Sequence, residues 1–170
     1  MELKDYIRDV PDFPKPGILF KDITTLLRDG AAFHHTIDVL SDRYRGRGIQ
    51  RVVGIEARGF IFASALAYAM GIGMVPVRKV GKLPSHRVSQ TYDLEYGTDC
   101  VEIHSDAIEN GEKVLVVDDL IATGGTLAAT CDLIEQVGGV IEEVACIIEL
   151  TFLPWKEKLG DRKVFTLVQY

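Results

Sequence analysis

The stretch that most narrows the folds open to this chain is V-L-V-V-D-D-L-I-A-T-G-G-T, Val114 to Thr126. Val114 to Val117 are apolar, mostly β-branched and bounded by charge. This predicts a strand buried on both faces, as in the middle of a parallel sheet. Asp118 and Asp119 follow at the carboxyl end of that strand, where open α/β sheets bind ligands. Leu127, Cys131, Ile134 and Val137 then recur at the spacing of an amphipathic helix. Gly124 and Gly125 can turn successive N–H groups toward one point, and the unsatisfied N–H groups of the helix add to them. Together these features make a seat for one phosphate.

The two carboxylates cannot touch that phosphate. A ligand suited to both parts therefore carries a phosphate at one end and hydroxyls or a metal nearby. Ribose 5-phosphate fits, with the phosphate on the loop Ala122, Thr123, Gly124, Gly125 and Thr126, and the 2- and 3-hydroxyls donating to Asp118 and Asp119. An isolated acid pair would do no more than cap the next helix. The complete strand, acid pair and glycine turn are far more specific.

At 170 residues the chain is long enough for one domain, 1–170, with a proper core. Its net charge of −6 argues against a general nucleic-acid surface, and any polyanion must be held by a local cation cluster or a metal. Cys131 and Cys146 sit in apolar runs, and Cys100 leaves the number of cysteines odd. Buried free thiols point to a reducing compartment, the cytoplasm. Charges at Glu2, Lys4, Asp5, Arg8 and Asp9 interrupt any leader-like apolar run. The uncharged stretch from Gly59 to Val77 approaches membrane-spanning length. Gly71, Gly73 and Pro76 divide it into a buried helix and a strand, so no membrane partner is expected.

Taken in order, residues 2 to 9 read as a short helix ended by Pro11. Pro11 to Ile23, with three prolines and a glycine, reads as ordered irregular chain. Phe33, Ile37, Leu40 and Tyr44 mark a helix that ends at Gly46 and Gly48. Arg51 to Ile55 is a second buried strand, followed by Glu56-Ala57-Arg58-Gly59 and a helix from about Phe60 to Met70. Met74 to Val77 is a third strand. It leads into R-K-V-G-K-L-P-S-H-R, Arg78 to Arg87, a dense cation run suited to a polyanion. Val88 to His104 reads as two extended arms meeting near Gly97-Thr98, an excursion of the kind that forms lids. Val144 to Ile148 and Val164 to Val168 are the last strands. The alternation predicts an α/β fold with a mostly parallel twisted sheet flanked by helices. His34, His35, His86 and His104 lack the paired spacing of a zinc site.

D-D-L-I-A-T-G-G-T resembles the phosphoribosyl-pyrophosphate (PRPP) motif of the type I phosphoribosyltransferases. F-P-K-P-G-I-L-F-K-D-I, E-A-R-G-F, R-K-V-G-K-L-P, Y-D-L-E-Y-G and I-E-L-T resemble, in order, marks of that family's adenine-specific branch. The resemblance implies a single-domain fold with an N-terminal hood over 1–30 and a flexible catalytic hairpin over 84–104. It implies transfer of phosphoribose from PRPP to adenine, giving AMP and pyrophosphate, with Mg²⁺ held mainly by PRPP and no dedicated protein ligand. Glu56, Ala57 and Arg58, with a non-proline cis peptide between the first two, would form the pyrophosphate loop. Arg78, Lys79 and Lys82 would add contacts, with Arg78 reaching the neighbouring subunit of a homodimer. Glu95 and Tyr96 would be the catalytic pair of the lid, with Arg58 the catalytic cation. Leu19, Phe20, Lys21 and Leu150 would hold adenine, with Phe20 stacked on the ring and backbone groups of Leu19 and Lys21 reading its edge. Relatives that use 6-oxopurines carry an acid where this chain has Ala122. Two other readings stay open: a PRPP-sensing regulatory module, and a phosphoribosyltransferase for guanine, hypoxanthine or xanthine.

Overall fold

A computed structural model describes residues 1–94 and 96–170, and the chain divides into two units, Met1–Arg43 and Tyr44–Tyr170. In the first unit a 3-10 turn at Leu3–Tyr6 leads into β1 (Arg8–Pro11), which pairs antiparallel with β2 (Leu19–Asp22). The helix expected over residues 2 to 9 is thus a single turn. The reason lies across the ladder: Arg8 stands opposite and ion-pairs with Asp22, and Asp9 does the same with Lys21 at 2.6 Å. Opposite charges facing one another stabilise a strand pair, a signal that local periodicity does not carry.

The connection over residues 12–18 holds a cis Phe13–Pro14 bond, and Gly17 donates its N–H to Asp12 Oδ1 at 2.8 Å. A short helix α1 (Thr24–Arg28) follows, its first N–H donating to Asp22 Oδ1 at 2.9 Å. Asp29 caps α2 (Gly30–Tyr44) by accepting the Ala32 N–H at 2.9 Å.

The second unit carries β3 (Arg51–Ile55), α3 (Gly59–Met70), β4 (Gly73–Lys79), β5 (Arg87–Asp93), β6 (Thr98–His104) and β7 (Lys113–Ile121). It continues with α4 (Gly125–Gln136), β8 (Val140–Glu149), α5 (Trp155–Leu159) and β9 (Val164–Gln169). Its sheet has the order β5-β6-β4-β3-β7-β8-β9. β4, β3, β7, β8 and β9 are parallel, while the β5–β6 hairpin joins β4 antiparallel through Arg78–Glu102 and Lys79–Val101.

Val114 to Val117 are fully buried, and Val114 and Val116 pack in one core cluster with Val53, Ile55, Leu133 and Cys146. The uncharged stretch from residue 59 to 77 is α3 followed by β4. Among the described residues no helix is long and apolar enough to cross a membrane.

The chain steps from β3 outward to β4, then resumes at β7 on the other side of β3. The order of strands therefore reverses between β3 and β7, and at such a reversal the loops after the two strands part and leave a crevice for ligands.

Candidate active site

β7 runs further than its sequence suggests. Its ladder with β3 ends at Gly54–Val117, but its ladder with β8 continues to Ile121–Glu149. Asp118 and Asp119 therefore belong to the strand itself, held in extended backbone by β8 where β3 has already turned away. Gly59, the first residue of α3, lies against the first of them. A Cβ there would stand 2.7 Å from Asp118 Oδ1 and 3.0 Å from the Val117 carbonyl, so only glycine lets the helix begin at this point. Arg58 Nε reaches Asp119 Oδ2 at 2.8 Å and bridges the reversal.

Burial and the adjacent Asp119 charge push the Asp118 carboxyl well above the usual range, while the Asp119 N–H donates to Asp118 Oδ1 at 2.9 Å. Burial also raises Asp119, but the Arg58 guanidinium opposes it there. The pair thus presents unequal carboxyls, the one beside Arg58 more readily ionised. An acid pair of this kind suits the hydroxyls of a sugar.

The loop after β7 turns through Gly124 at φ +83° into α4, whose first turn receives no capping side chain. The glycine at its N-cap thus offers the leading N–H groups no side-chain acceptor, as a phosphate seat requires. Gly124 is backed by α5: a Cβ there would lie 3.1 Å from both the Cβ and the carbonyl of Trp155. Trp155 in turn donates its indole N–H to Glu149 at 3.1 Å, and Glu149 also accepts from Thr166 and Gln169. Sequence reasoning gave neither Trp155 nor Glu149 a role, because the five residues of α5 are too few to show a period.

Glu56 and Ala57 are joined by a cis peptide, and the Glu56 N–H donates to Val77 O at 2.9 Å, which ties the turn to the end of β4. The Glu56 carboxylate gathers the Lys79 N–H at 2.9 Å, the Arg78 guanidinium at 3.3 Å and the Lys82 ammonium. Burial opposes its charge, yet Lys82, the Lys79 N–H and Arg78 more than offset that and lower its pKa to about 2. Arg78 and Lys82 thus stand together on one acid, whereas Lys79 turns to Asp99 and to Tyr92 at 3.0 Å.

Tyr96 is exposed beside the turn closed by Leu94 N–H to Gly97 O at 2.9 Å, and Glu95 lies outside the described residues. Leu150 donates its N–H to Ile121 O at 3.1 Å, beside the end of β7. Leu19, Phe20 and Lys21 lie together on β2 in the first unit. The Lys21 side chain is buried on Asp9, and the Phe20 ring packs edge-to-face on Phe13 with centroids 5.1 Å apart.

Among the described residues no three His, Cys, Asp or Glu side chains gather as a metal cage. Asp118 and Asp119 offer a pair of hard oxygens with Arg58 already on one of them, a set that fits Mg²⁺ carried on ligand phosphates.

An acid pair, an uncapped glycine turn and a cation cluster thus converge around one strand reversal, and comparison with known proteins gives that arrangement a family. Residues 22–161 match the phosphoribosyl transferase domain. The chain belongs to that family. A curated relative from Solibacter usitatus, named adenine phosphoribosyltransferase, is 59% identical over 169 residues, spanning 99% of this chain and 98% of its own. The crystal structure of adenine phosphoribosyltransferase from Thermoanaerobacter pseudethanolicus superposes with a TM-score of 0.96 at 48% identity, covering 99% of this chain and 98% of that one. The Saccharomyces cerevisiae enzyme, complexed with an imino-altritol bisphosphate and adenine, gives 0.93 at 44%, covering 98% and 96%. The α/β sheet described above is accordingly the type I phosphoribosyltransferase fold, and the chain groups with the family's adenine phosphoribosyltransferases.

Proposed function

We propose that this chain transfers the 5-phosphoribosyl group of PRPP to adenine, releasing AMP and pyrophosphate, as a step of purine salvage. One observation carries the reading: at the end of β7, Asp118 and Asp119 adjoin the uncapped turn from Ala122 to Thr126, in a chain similar over its full length to enzymes of that name. The phosphate of the ribose sits on the N–H groups of Thr123, Gly124, Gly125 and Thr126, and its diol donates to Asp118 and Asp119.

Bond breaking at C1 of the ribose passes through an oxocarbenium-like state while the departing pyrophosphate gathers charge. Arg58, Arg78, Lys79 and Lys82 lower the barrier by stabilising that charge, with the backbone of Glu56 and Ala57 shaping the loop. Bound Mg²⁺, carried on the phosphates of PRPP, supplies further charge neutralisation there. Glu95 manages the purine proton and Tyr96 helps close residues 84–104 over the reacting centre, excluding water.

Adenine is taken by the hood, residues 1–30. Phe20 stacks on the ring, the backbone of Leu19 and Lys21 reads its edge, and Leu150 floors the pocket. Ala122, where an acid would favour a 6-oxopurine, leaves the proton to Glu95. A homodimer accounts for Arg78, which reaches the pyrophosphate of a second copy. The free thiols at Cys100, Cys131 and Cys146 suit the cytoplasm.

The test is a purine panel with labelled PRPP and Mg²⁺. Adenine should turn over at least about tenfold faster than hypoxanthine, guanine or xanthine, since one mismatched polar edge in a buried pocket costs this much or more. Hypoxanthine outpacing adenine would reassign the base. PRPP binding with no turnover of any purine would mean a regulatory module.

A further inference from the structure

The Thr126 hydroxyl, on the residue whose N–H the proposed function gives to the ribose phosphate, is already engaged elsewhere. Its Oγ1 lies 3.0 Å from Tyr92 Oη on the β5–β6 hairpin. Around that phenol the polarity of every bond is fixed. Lys79 Nζ, at 3.0 Å, can only donate. Asp99 Oδ2, at 3.1 Å, can only accept, because Lys79 beside it holds the carboxyl below its ordinary pKa. The single phenolic hydrogen therefore goes to Asp99, and the bond to Thr126 must have Thr126 as its donor. Thr126 has one hydrogen, and it is spent on the hairpin.

A phosphate oxygen is an acceptor and cannot use the lone pairs that Thr126 has left. A phosphate that takes the Thr126 hydroxyl as well as its N–H must therefore withdraw that hydrogen from Tyr92. Contact along the same seam is close: a Cβ on Gly125 would come within 3.3 Å of the Tyr92 ring and 3.6 Å of the Asp93 carbonyl. Resting on the proposed function, we infer that Tyr92 is a positioning residue that latches the hairpin to the phosphate seat. A 5-phosphate ligand competes for the Thr126 hydrogen, and its arrival releases the arm of chain that leads to Glu95 and Tyr96. Lys79 and Asp99, which orient the phenol, belong to the latch. This gives Lys79 a task that Arg78 and Lys82, both on Glu56, do not share.

Tyr92→Phe tests this, since it removes the oxygen and keeps the ring. AMP affinity and amide hydrogen exchange of β5 are measured on the full chain with and without AMP, for the native protein, Tyr92→Phe and Thr126→Val. In the native protein AMP should accelerate exchange of β5. In Tyr92→Phe exchange should be fast already and indifferent to AMP, and AMP should bind about two- to tenfold tighter, the worth of one competing hydrogen bond. General structural damage would weaken binding, so tightening is diagnostic. Unchanged or weaker AMP affinity in Tyr92→Phe, or a hairpin that still responds to AMP, overturns the latch. Full AMP affinity in Thr126→Val overturns it by removing Thr126 from the phosphate site. Failure of the native protein to bind AMP would instead strike the proposed function.

Discussion

Asp118 holds a carboxylate where the fold works against its charge. Burial and Asp119 raise its pKa well above normal, and the opposing pull of Arg58, which ion-pairs with Asp119, is too weak to offset them. An acid whose folded pKa is raised carries a stability penalty that is fully developed above that pKa, shrinks as the pH falls below it, and is gone below the unfolded value. Asp118→Asn should therefore stabilise the ligand-free protein at pH 7 by about 1 kcal/mol, with the gain shrinking toward acid pH. The amide oxygen still accepts the Asp119 N–H, so the local geometry is kept. Turnover should meanwhile fall by roughly 10²-fold, the scale on which preorganised polar contacts to a charged transition state act. Denaturant melts at pH 7 and pH 5 check the first part and initial rates the second. A less stable Asp118→Asn protein would contradict this account of the residue.

At the scale of elements the site depends on how closely α3 approaches β7. Gly59 permits a separation that no side chain would, with the Val117 backbone and Asp118 directly beneath it. Gly59→Ala should cost about 1–3 kcal/mol, as overpacking of a filled site does, and should reduce PRPP affinity by displacing Arg58 from Asp119. Thermal melting together with PRPP titration measures both, and an unperturbed protein would show that α3 can shift freely. Long elements were plain in the sequence. The Val114 run, the α2 periodicity at Phe33, Ile37, Leu40 and Tyr44, and the Arg51 strand all became what their patterns predict. Short ones were not. α1 and α5 have five residues each, and β1 owes its existence to cross-strand partners on β2, beyond the connecting loop, so none of the three leaves a local trace.

For the molecule as a whole, the reversal of strand order between β3 and β7 explains why two loops so far apart in sequence serve one crevice. The acid pair and the glycine turn were legible beforehand because they are contiguous with a strand and a helix. The sorting of the cation run was not. That Arg78 and Lys82 share Glu56, while Lys79 joins Asp99 and Tyr92, follows from register across β4, β5 and β6, which composition does not encode. Nor was the backing of Gly124 by Trp155 legible, since it brings together residues from distant parts of the chain. Whether the end of β7 grips a sugar phosphate at both ends is decided by a crystal structure with AMP bound. The phosphate should lie within hydrogen-bond reach of the Gly124, Gly125 and Thr126 N–H groups, and the ribose hydroxyls on Asp118 and Asp119. AMP held on any surface that leaves those two acids and that turn untouched would contradict it.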